Sequence, residues 1–69
     1  MNRVPNRKEI GKRLRSYRGN VPVKEVAEKI GVTRQAIEHY EKGNRIPSDE
    51  IKVLIANYYN KEVQEIFFN

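Results

Sequence analysis

Residues 26–37 read VAEKIGVTRQAI, which is the pattern of two short helices joined by a tight turn. Gly31 permits the left-handed conformation that ends a helix, and Thr33, two residues later, is a good N-cap for the next one. The small side chain of Ala27 lets the second helix cross closely over the first, and Val32 and Ile37 fix the crossing from below. The segment therefore predicts two helices that cross at a short turn.

The apolar spacing outside this segment also favours helices. Apolar residues recur three and four positions apart, and no stretch alternates strictly enough to predict a strand. Asn6 and Glu9 form a capping pair at the start of a helix over 7–17, Pro22 lies at the edge of a second helix that runs to about residue 30, and the third is expected over 33–41.

Two further helices complete the predicted fold. Ser48 caps a fourth helix that ends at Asn60, and the short fifth helix follows it. The residues expected to face inward are Ile51, Leu54, Ile55 and Tyr58 in the fourth helix and Val63, Ile66 and Phe67 in the fifth. The sequence thus predicts an all-α fold in a single domain over 1–69, with a flexible arm over 1–5 and a helical bundle over 6–67.

Length and composition limit the class of protein. The chain has 69 residues, which is enough for one domain. It has no cysteine, which excludes disulfides and thiolate metal sites, and His39 has no second histidine with which to share a metal ion. No run approaches the roughly 20 apolar residues of a spanning helix, and no signal peptide is recognisable. We therefore expect a soluble cytoplasmic protein with no cofactor, metal, membrane contact or small-molecule ligand.

Positive charge is concentrated at one end of the chain, although the formal net charge is only +5. Residues 1–18 carry seven basic residues against Glu9 alone, whereas residues 19–69 carry seven basic and eight acidic residues. Such a block is either an ordinary solvated helix face or part of a phosphate-binding surface, and charge alone does not separate the two.

The predicted third helix has a polar outer face. Its inward stripe is Ala36, Ile37 and Tyr40, so the remaining side chains point away from the core. These are mostly long, hydrogen-bonding groups: Arg34, Gln35, Glu38 and His39.

The run from Ile10 to Phe67 resembles the phage-repressor and Cro class of helix-turn-helix DNA-binding domains. The positions used by that family's pattern are occupied here by Ala27, Gly31, Thr33, Ile37, Glu41, Gly43 and Pro47. The resemblance implies a compact five-helix bundle of the lambda-repressor type, in which helices 2 and 3 form the helix-turn-helix. Short free-standing members often end in a helix like residues 63–67, which suggests a complete protein.

The resemblance implies sequence-specific binding of double-stranded DNA by a transcriptional regulator, a repressor in particular, and no enzyme activity. Gln35 is then expected to read a base, Arg34 to read a base or grip the backbone, and Glu38 to accept from a cytosine amino group or to repel phosphate and so enforce register. The residues expected at the DNA backbone are Thr33, His39, Lys42, Asn44, Arg45, Lys24 and Arg7, with Arg3 as a contact from the arm.

Two features of the resemblance concern structure. Family members pair the arginine that closes helix 1 with the glutamate that ends helix 3, which implies an ion pair between Arg18 and Glu41. The family also commonly begins helix 2 with a Ser or Thr cap followed by a Gln that bonds a DNA phosphate. Here Pro22 and Val23 stand at these positions, and neither side chain forms hydrogen bonds. The turn before helix 2 is also shorter than in most members.

A single recognition helix reads few base pairs, so we expect a two-fold homodimer on two half-sites. Its interface is expected in the C-terminal part of the chain, at Val53, Tyr59, Phe67 and Phe68. Two alternatives remain open: an antitoxin that also binds a toxin partner, and a helical protein-interaction adaptor that does not bind DNA. A nuclease is not expected, because Glu25, Glu28 and Glu38 form no recognisable catalytic cluster.

Overall fold

Helix boundaries follow the capping residues of the sequence. The computed structural model of the protein describes residues 5–68, which form α1 (Arg7–Arg18), α2 (Val23–Ile30), α3 (Arg34–Lys42), α4 (Asp49–Tyr59) and α5 (Val63–Phe67). The side chains of Asn6, Thr33 and Ser48 each accept a hydrogen bond from the third amide of the helix that follows. These bonds satisfy amides that have no partner within the helix. The predicted all-α fold of five helices is confirmed, with Thr33 as the cap of α3 rather than its first residue.

The turn between α2 and α3 depends on Gly31. Its φ of 90° lies in the left-handed region that side chains with a Cβ rarely adopt. The amides of Gly31 and Val32 both donate to the carbonyl of Ala27, at 2.8 and 3.0 Å, and these bonds close the end of α2. The chain can therefore enter α3 within three residues, so that the two helices cross.

All five helices contribute to one core. Helix α1 packs against α3 and α5, α2 packs against α3 and α4, and α4 packs against α5. The buried apolar residues are Ile10, Leu14, Val26, Ala27, Ile30, Ile37, Tyr40, Ile55, Ala56, Ile66 and Phe67. The back of α3 is therefore held by both α1 and α2, and this leaves its opposite face free.

Helices α1 and α3 approach each other most closely at Gly11. A methyl group added at this position would overlap the backbone carbonyl of Glu41 and lie 2.9 Å from the carbonyl oxygen of Tyr40. Only a residue without a side chain fits here, although Gly11 lies in the middle of a helix, where glycine is unfavourable. No local pattern in the sequence indicates this requirement for glycine.

Arg13 connects the first and last helices. Its Nη1 donates to the backbone carbonyls of Glu65 and Ile66, at 3.2 and 2.8 Å. These carbonyls lie at the end of α5 and lack partners within that helix, which has only five residues. Arg13 therefore stabilises a helix too short to be stable by itself.

Two predictions are wrong: that Leu54 faces the core, and that Phe67 lines a dimer interface. Leu54 was expected to face the core and is 44% exposed, because α4 turns Ala56 inward in its place, beside Ile55 as expected. Phe67 was expected both in the core and at a dimer interface, but it is only 2% exposed, so it cannot line a surface. Its neighbour Phe68 takes the exposed position.

Three other findings concern the predicted arm, membrane contact and metal binding. Residues 1–4 of the arm, including Arg3, lie outside the described residues, whereas Pro5 is buried. Within 5–68, no helix has the length and apolar character needed to cross a membrane. The same part of the chain contains no group of three histidine or carboxylate side chains that could hold a metal ion.

Candidate nucleic-acid interface

The first half of α3 is exposed on the outer side of the helix-turn-helix. Thr33, Arg34, Gln35 and Glu38 are all exposed, whereas Ile37 and Tyr40 are buried on the opposite side of the same helix. The hydroxyl of Thr33 is engaged as a cap and accepts from the amide of Ala36 at 3.1 Å. The amphipathic pattern of α3 therefore projects three long polar side chains outward from a fixed backbone.

The other end of α3 is fixed by an ion pair. The Nε and Nη2 of Arg18 donate to the two carboxylate oxygens of Glu41, at 2.7 and 2.9 Å, while Nη1 donates to the carbonyl of Val21 at 2.9 Å. The Arg18 and Glu41 side chains are only 14% and 8% exposed. Hydrogen bonding to Glu41 raises the pKa of Arg18, and burial opposes this effect. The pair joins the end of α1, the next turn and the end of α3.

The ring of Tyr59 lies close to this ion pair. It contacts Tyr17 and Tyr58, with ring centroids 5.7 and 4.9 Å away. Burial, and then the negative charge of Glu41, raises the pKa of Tyr59 to about 12. The neutral phenol is thus the form that the fold favours. Tyr59 is only partly exposed, so it packs beside the Arg18–Glu41 ion pair and contributes little to the outer surface.

The loop after α3 lies against the start of α1. Nη1 of Arg7 donates to the carbonyl of Asn44 at 3.5 Å, and the backbone of Lys8 is so close that a Cβ on Gly43 would lie 3.0 Å from its Cα. We call Arg7, Lys8, Lys42, Asn44 and Arg45, all exposed, the basic edge. Two segments that are distant in the sequence thus form one positively charged surface. The position of Lys8 beside the loop depends on a contact between distant segments, which no local pattern predicts.

A groove lies beside the first turn of α3. One wall is formed by Pro22, Val23 and Lys24 at the start of α2, and the other by Arg34, Gln35 and Glu38. The volume of the groove is about 480 Å³. The structure therefore brings the three predicted base-reading residues together with Lys24. His39, one turn further along α3, is half-buried, and it does not line this groove.

The residues predicted for a dimer interface differ in their exposure to solvent. Val53 and Phe68 are 48% and 44% exposed, and Leu54, next to Val53, is equally open at 44%. Tyr59 is partly buried, and Phe67 is buried. The exposed apolar side chains in this part of the chain are therefore Val53 and Leu54 on α4 and Phe68 just after α5.

In this structure an exposed helix crosses a second helix at a glycine turn, and the inner faces of both pack against a small bundle. This arrangement defines a helix-turn-helix domain. Comparison with known proteins agrees with this assignment. The chain belongs to the helix-turn-helix family, whose model matches residues 12–66.

Two archaeal relatives are similar in sequence along most of the chain. An uncharacterised HTH-type transcriptional regulator of Methanocaldococcus jannaschii is 35% identical over 57 residues, covering 80% of this chain and 86% of the relative. A second protein of the same description, from Archaeoglobus fulgidus, is 33% identical over 57 residues, and the match covers 80% of this chain and 80% of the relative.

Solved structures show the same fold. The restriction-modification controller protein C.AhdI of Aeromonas hydrophila superposes with a TM-score of 0.78 and 26% identity, covering 87% of this chain and 94% of that one. The clp gene regulator ClgR of Corynebacterium glutamicum has a TM-score of 0.75 and 26% identity over 87% of this chain and 80% of its own. The LexA repressor of Eubacterium rectale has a TM-score of 0.85 over 93% of this chain and 70% of its own, and at 24% identity it supports the fold alone.

Proposed function

We propose that the protein is a transcriptional regulator that binds double-stranded DNA in a sequence-specific manner, inserts α3 into the major groove and acts as a repressor. Membership of the helix-turn-helix family and the likeness to named regulators support DNA binding and regulation. Repression needs only that the bound protein exclude other proteins from overlapping DNA.

The observation that carries the proposal is the exposed first turn of α3 on a rigid support. Arg34, Gln35 and Glu38 project from a helix whose N-terminus is capped by Thr33 and whose C-terminal end is fixed by the Arg18–Glu41 pair. Side chains on a fixed backbone can meet base edges in one register, which sequence readout requires. Gln35 is proposed to pair with adenine, Arg34 with guanine or phosphate, and Glu38 with a cytosine amino group.

Candidate phosphate contacts lie at both ends of α3. Lys24 and Thr33 are near its beginning, and the basic edge with His39 is near its end. With its side chains, an α-helix is about 10–12 Å across, which fits the roughly 12 Å width of the major groove. With α3 in the groove, the basic groups near its two ends would lie close to the phosphate backbones that border the groove.

We further propose that the protein binds DNA as a homodimer through the exposed apolar residues of α4 and the C-terminal end of α5. Val53 and Phe68 are retained from the sequence prediction, and the exposure of Leu54 adds it to this surface. These residues lie on elements to which we assign no DNA contact. Two recognition helices related by a two-fold axis would read half-sites about 34 Å apart.

Selection of bound duplexes from random DNA, followed by titration of the selected duplex at several salt concentrations, tests the proposal. We expect one sequence to be enriched and its affinity to fall steeply with salt. Lys42→Gln should lower the salt slope by about 0.9 for each phosphate contact it removes. Lys61→Gln removes the same charge from the turn between α4 and α5 and should leave the slope unchanged. A pool without a common sequence would contradict specific recognition and favour the adaptor hypothesis.

A further inference from the structure

We infer that the groove between α2 and α3 selects a pyrimidine that carries a 5-methyl group, through an apolar wall formed by Pro22 and Val23. The inference rests on the proposed function and adds a specificity determinant outside the recognition helix. The methyl group is that of thymine or of 5-methylcytosine, which present the same apolar group at the same ring position.

The two walls of the groove differ in chemistry. Arg34, Gln35 and Glu38 on α3 supply donors and acceptors, whereas Pro22 and Val23 supply only apolar side-chain surface. Lys24 continues the α2 wall with a positive charge. The groove has a volume of about 480 Å³, many times the roughly 30 Å³ that one water occupies, so it has room for a group larger than a few waters. A group in the groove therefore meets polar side chains on the α3 side, and on the α2 side the hydrocarbon of Pro22 and Val23 beside the ammonium group of Lys24.

The 5-methyl group of a pyrimidine is the one apolar substituent that base pairs present in the major groove. It projects at the margin of the groove, beside the backbone of its own strand. With Gln35 on an adenine, a pyrimidine of the same or the neighbouring base pair would therefore turn its methyl group toward Pro22 and Val23 and its phosphate toward Lys24. Neither a phosphate nor an exocyclic amino group gains a hydrogen bond from the side chains of Pro22 and Val23.

The position of Val23 is fixed. It is half-buried and packs against the hydrophobic core, so only part of its side chain faces the groove. A β-branched residue in a helix has essentially one preferred χ1 rotamer, which keeps its methyl groups in place. Pro22, which is exposed, has a fixed φ and extends the same surface. The wall is thus a rigid surface. It cannot move to fill the space left when the pyrimidine lacks its 5-methyl group.

The experiment exchanges single methyl groups on the DNA. In the duplex obtained by selection, each thymine is replaced in turn by deoxyuridine and each cytosine by 5-methylcytosine, and the dissociation constants of the wild type and Val23→Ala are compared. Loss of one buried methyl group should weaken wild-type binding about fourfold at one position of a half-site. The Val23→Ala variant should be nearly indifferent to the same change. Sensitivity to deoxyuridine identifies thymine as the source, and tighter binding at one cytosine identifies 5-methylcytosine.

Two further variants keep the result interpretable. Val23→Thr preserves the shape of the side chain, so it replaces Val23→Ala if that variant unfolds, and it should also reduce the methyl effect. Val63→Ala, at a half-buried valine on α5, should retain the wild-type response. The inference is overturned if no single methyl exchange changes wild-type affinity, or if the effect persists in both Val23 variants. Failure to select any sequence overturns the proposed function as well, whereas selective binding without a methyl effect overturns the inference alone.

Discussion

Arg18 at the end of α1 and Glu41 near the end of α3 form a forked ion pair, with two nitrogen to oxygen distances of 2.7 and 2.9 Å. Both side chains are largely removed from solvent. Removing one member of such a pair is costly, because the remaining buried charge has no partner and is not fully hydrated. The pair therefore connects the stability of the fold to the position of the helix proposed to read DNA.

We expect Glu41→Gln to lower the free energy of unfolding by about 3 kcal/mol, because it leaves the guanidinium of Arg18 without a negative partner. The double variant Arg18→Met with Glu41→Leu should recover much of this loss, since it removes both buried charges. Urea unfolding followed by circular dichroism measures both effects. Asp49→Asn breaks a pair with Lys52 in which the Asp49 side chain is fully exposed, and it should change stability far less. Wild-type stability in Glu41→Gln would contradict this account.

Gly11→Ala tests the close approach of α1 and α3. Alanine normally stabilises a helix relative to glycine, but here its methyl group would overlap the carbonyl of Glu41. We expect a net loss of about 1 to 3 kcal/mol, as for other overpacked sites. Ser16→Ala, at an exposed position of the same helix, should be neutral or stabilising by a few tenths of a kcal/mol. Equal or greater stability of Gly11→Ala by thermal unfolding would show that the helices do not meet as described.

The shifted pKa of Tyr59 predicts a loss of stability at alkaline pH. Its pKa is about 12 in the fold against an ordinary value of 10.0, so the fold favours the protonated phenol. The resulting stabilisation is complete below about pH 10 and disappears as the pH rises toward 12. Urea unfolding across this interval should show a smaller decline in Tyr59→Phe than in the wild type. Tyr58→Phe keeps Tyr59 and removes only a lesser cause of its raised pKa, so it should stay closer to the wild-type curve than Tyr59→Phe does. Parallel curves for all three proteins would refute the linkage.

Val53→Glu tests the proposed dimer surface. A charge placed in an apolar interface opposes association, so sedimentation should show a wild-type dimer and a monomeric variant with unchanged helix content. The variant should also bind a two-half-site duplex more weakly than the wild type does. Ser16→Glu adds the same charge on α1 and should remain dimeric. A wild type that stays monomeric at high concentration, and also on DNA, would rule the dimer out.

The helices were largely predictable because their signals are local. Asn6, Thr33 and Ser48 cap the helices that they were expected to cap, and Gly31 ends α2 in the left-handed conformation. Each signal depends on only a few residues along the chain. The resemblance of residues 10–67 to a known family then predicted how the helices pack.

Orientation and close approach could not be read in the same way. A helical stripe through Leu54 and one through Ala56 differ only in how α4 turns about its axis, and packing against α2 and α5 decides this. Helix α5 makes little more than one turn, so periodicity could not tell which of Phe67 and Phe68 faces inward. Gly11 has no local signal, because its role depends on a carbonyl 30 positions away in α3.

The candidate site was partly predictable for the same reason. The outward residues of α3 follow from its apolar stripe, but the wall opposite them, at Pro22 and Val23, depends on the crossing of two helices. The approach of Arg7 to Asn44 likewise joins segments that are 37 positions apart. Sequence thus identified the α3 side chains, and the tertiary structure was needed to show what lies beside them.

The central claim, that the first turn of α3 reads bases in the major groove, is tested most directly by Gln35→Ala. Its affinity for every single-base variant of the selected duplex is measured beside that of the wild type and of Gln64→Ala, an exposed glutamine on α5. We predict that Gln35→Ala loses about 1 to 3 kcal/mol of discrimination at one position of each half-site, while Gln64→Ala keeps the full preference. An unchanged base preference in Gln35→Ala would contradict the claim.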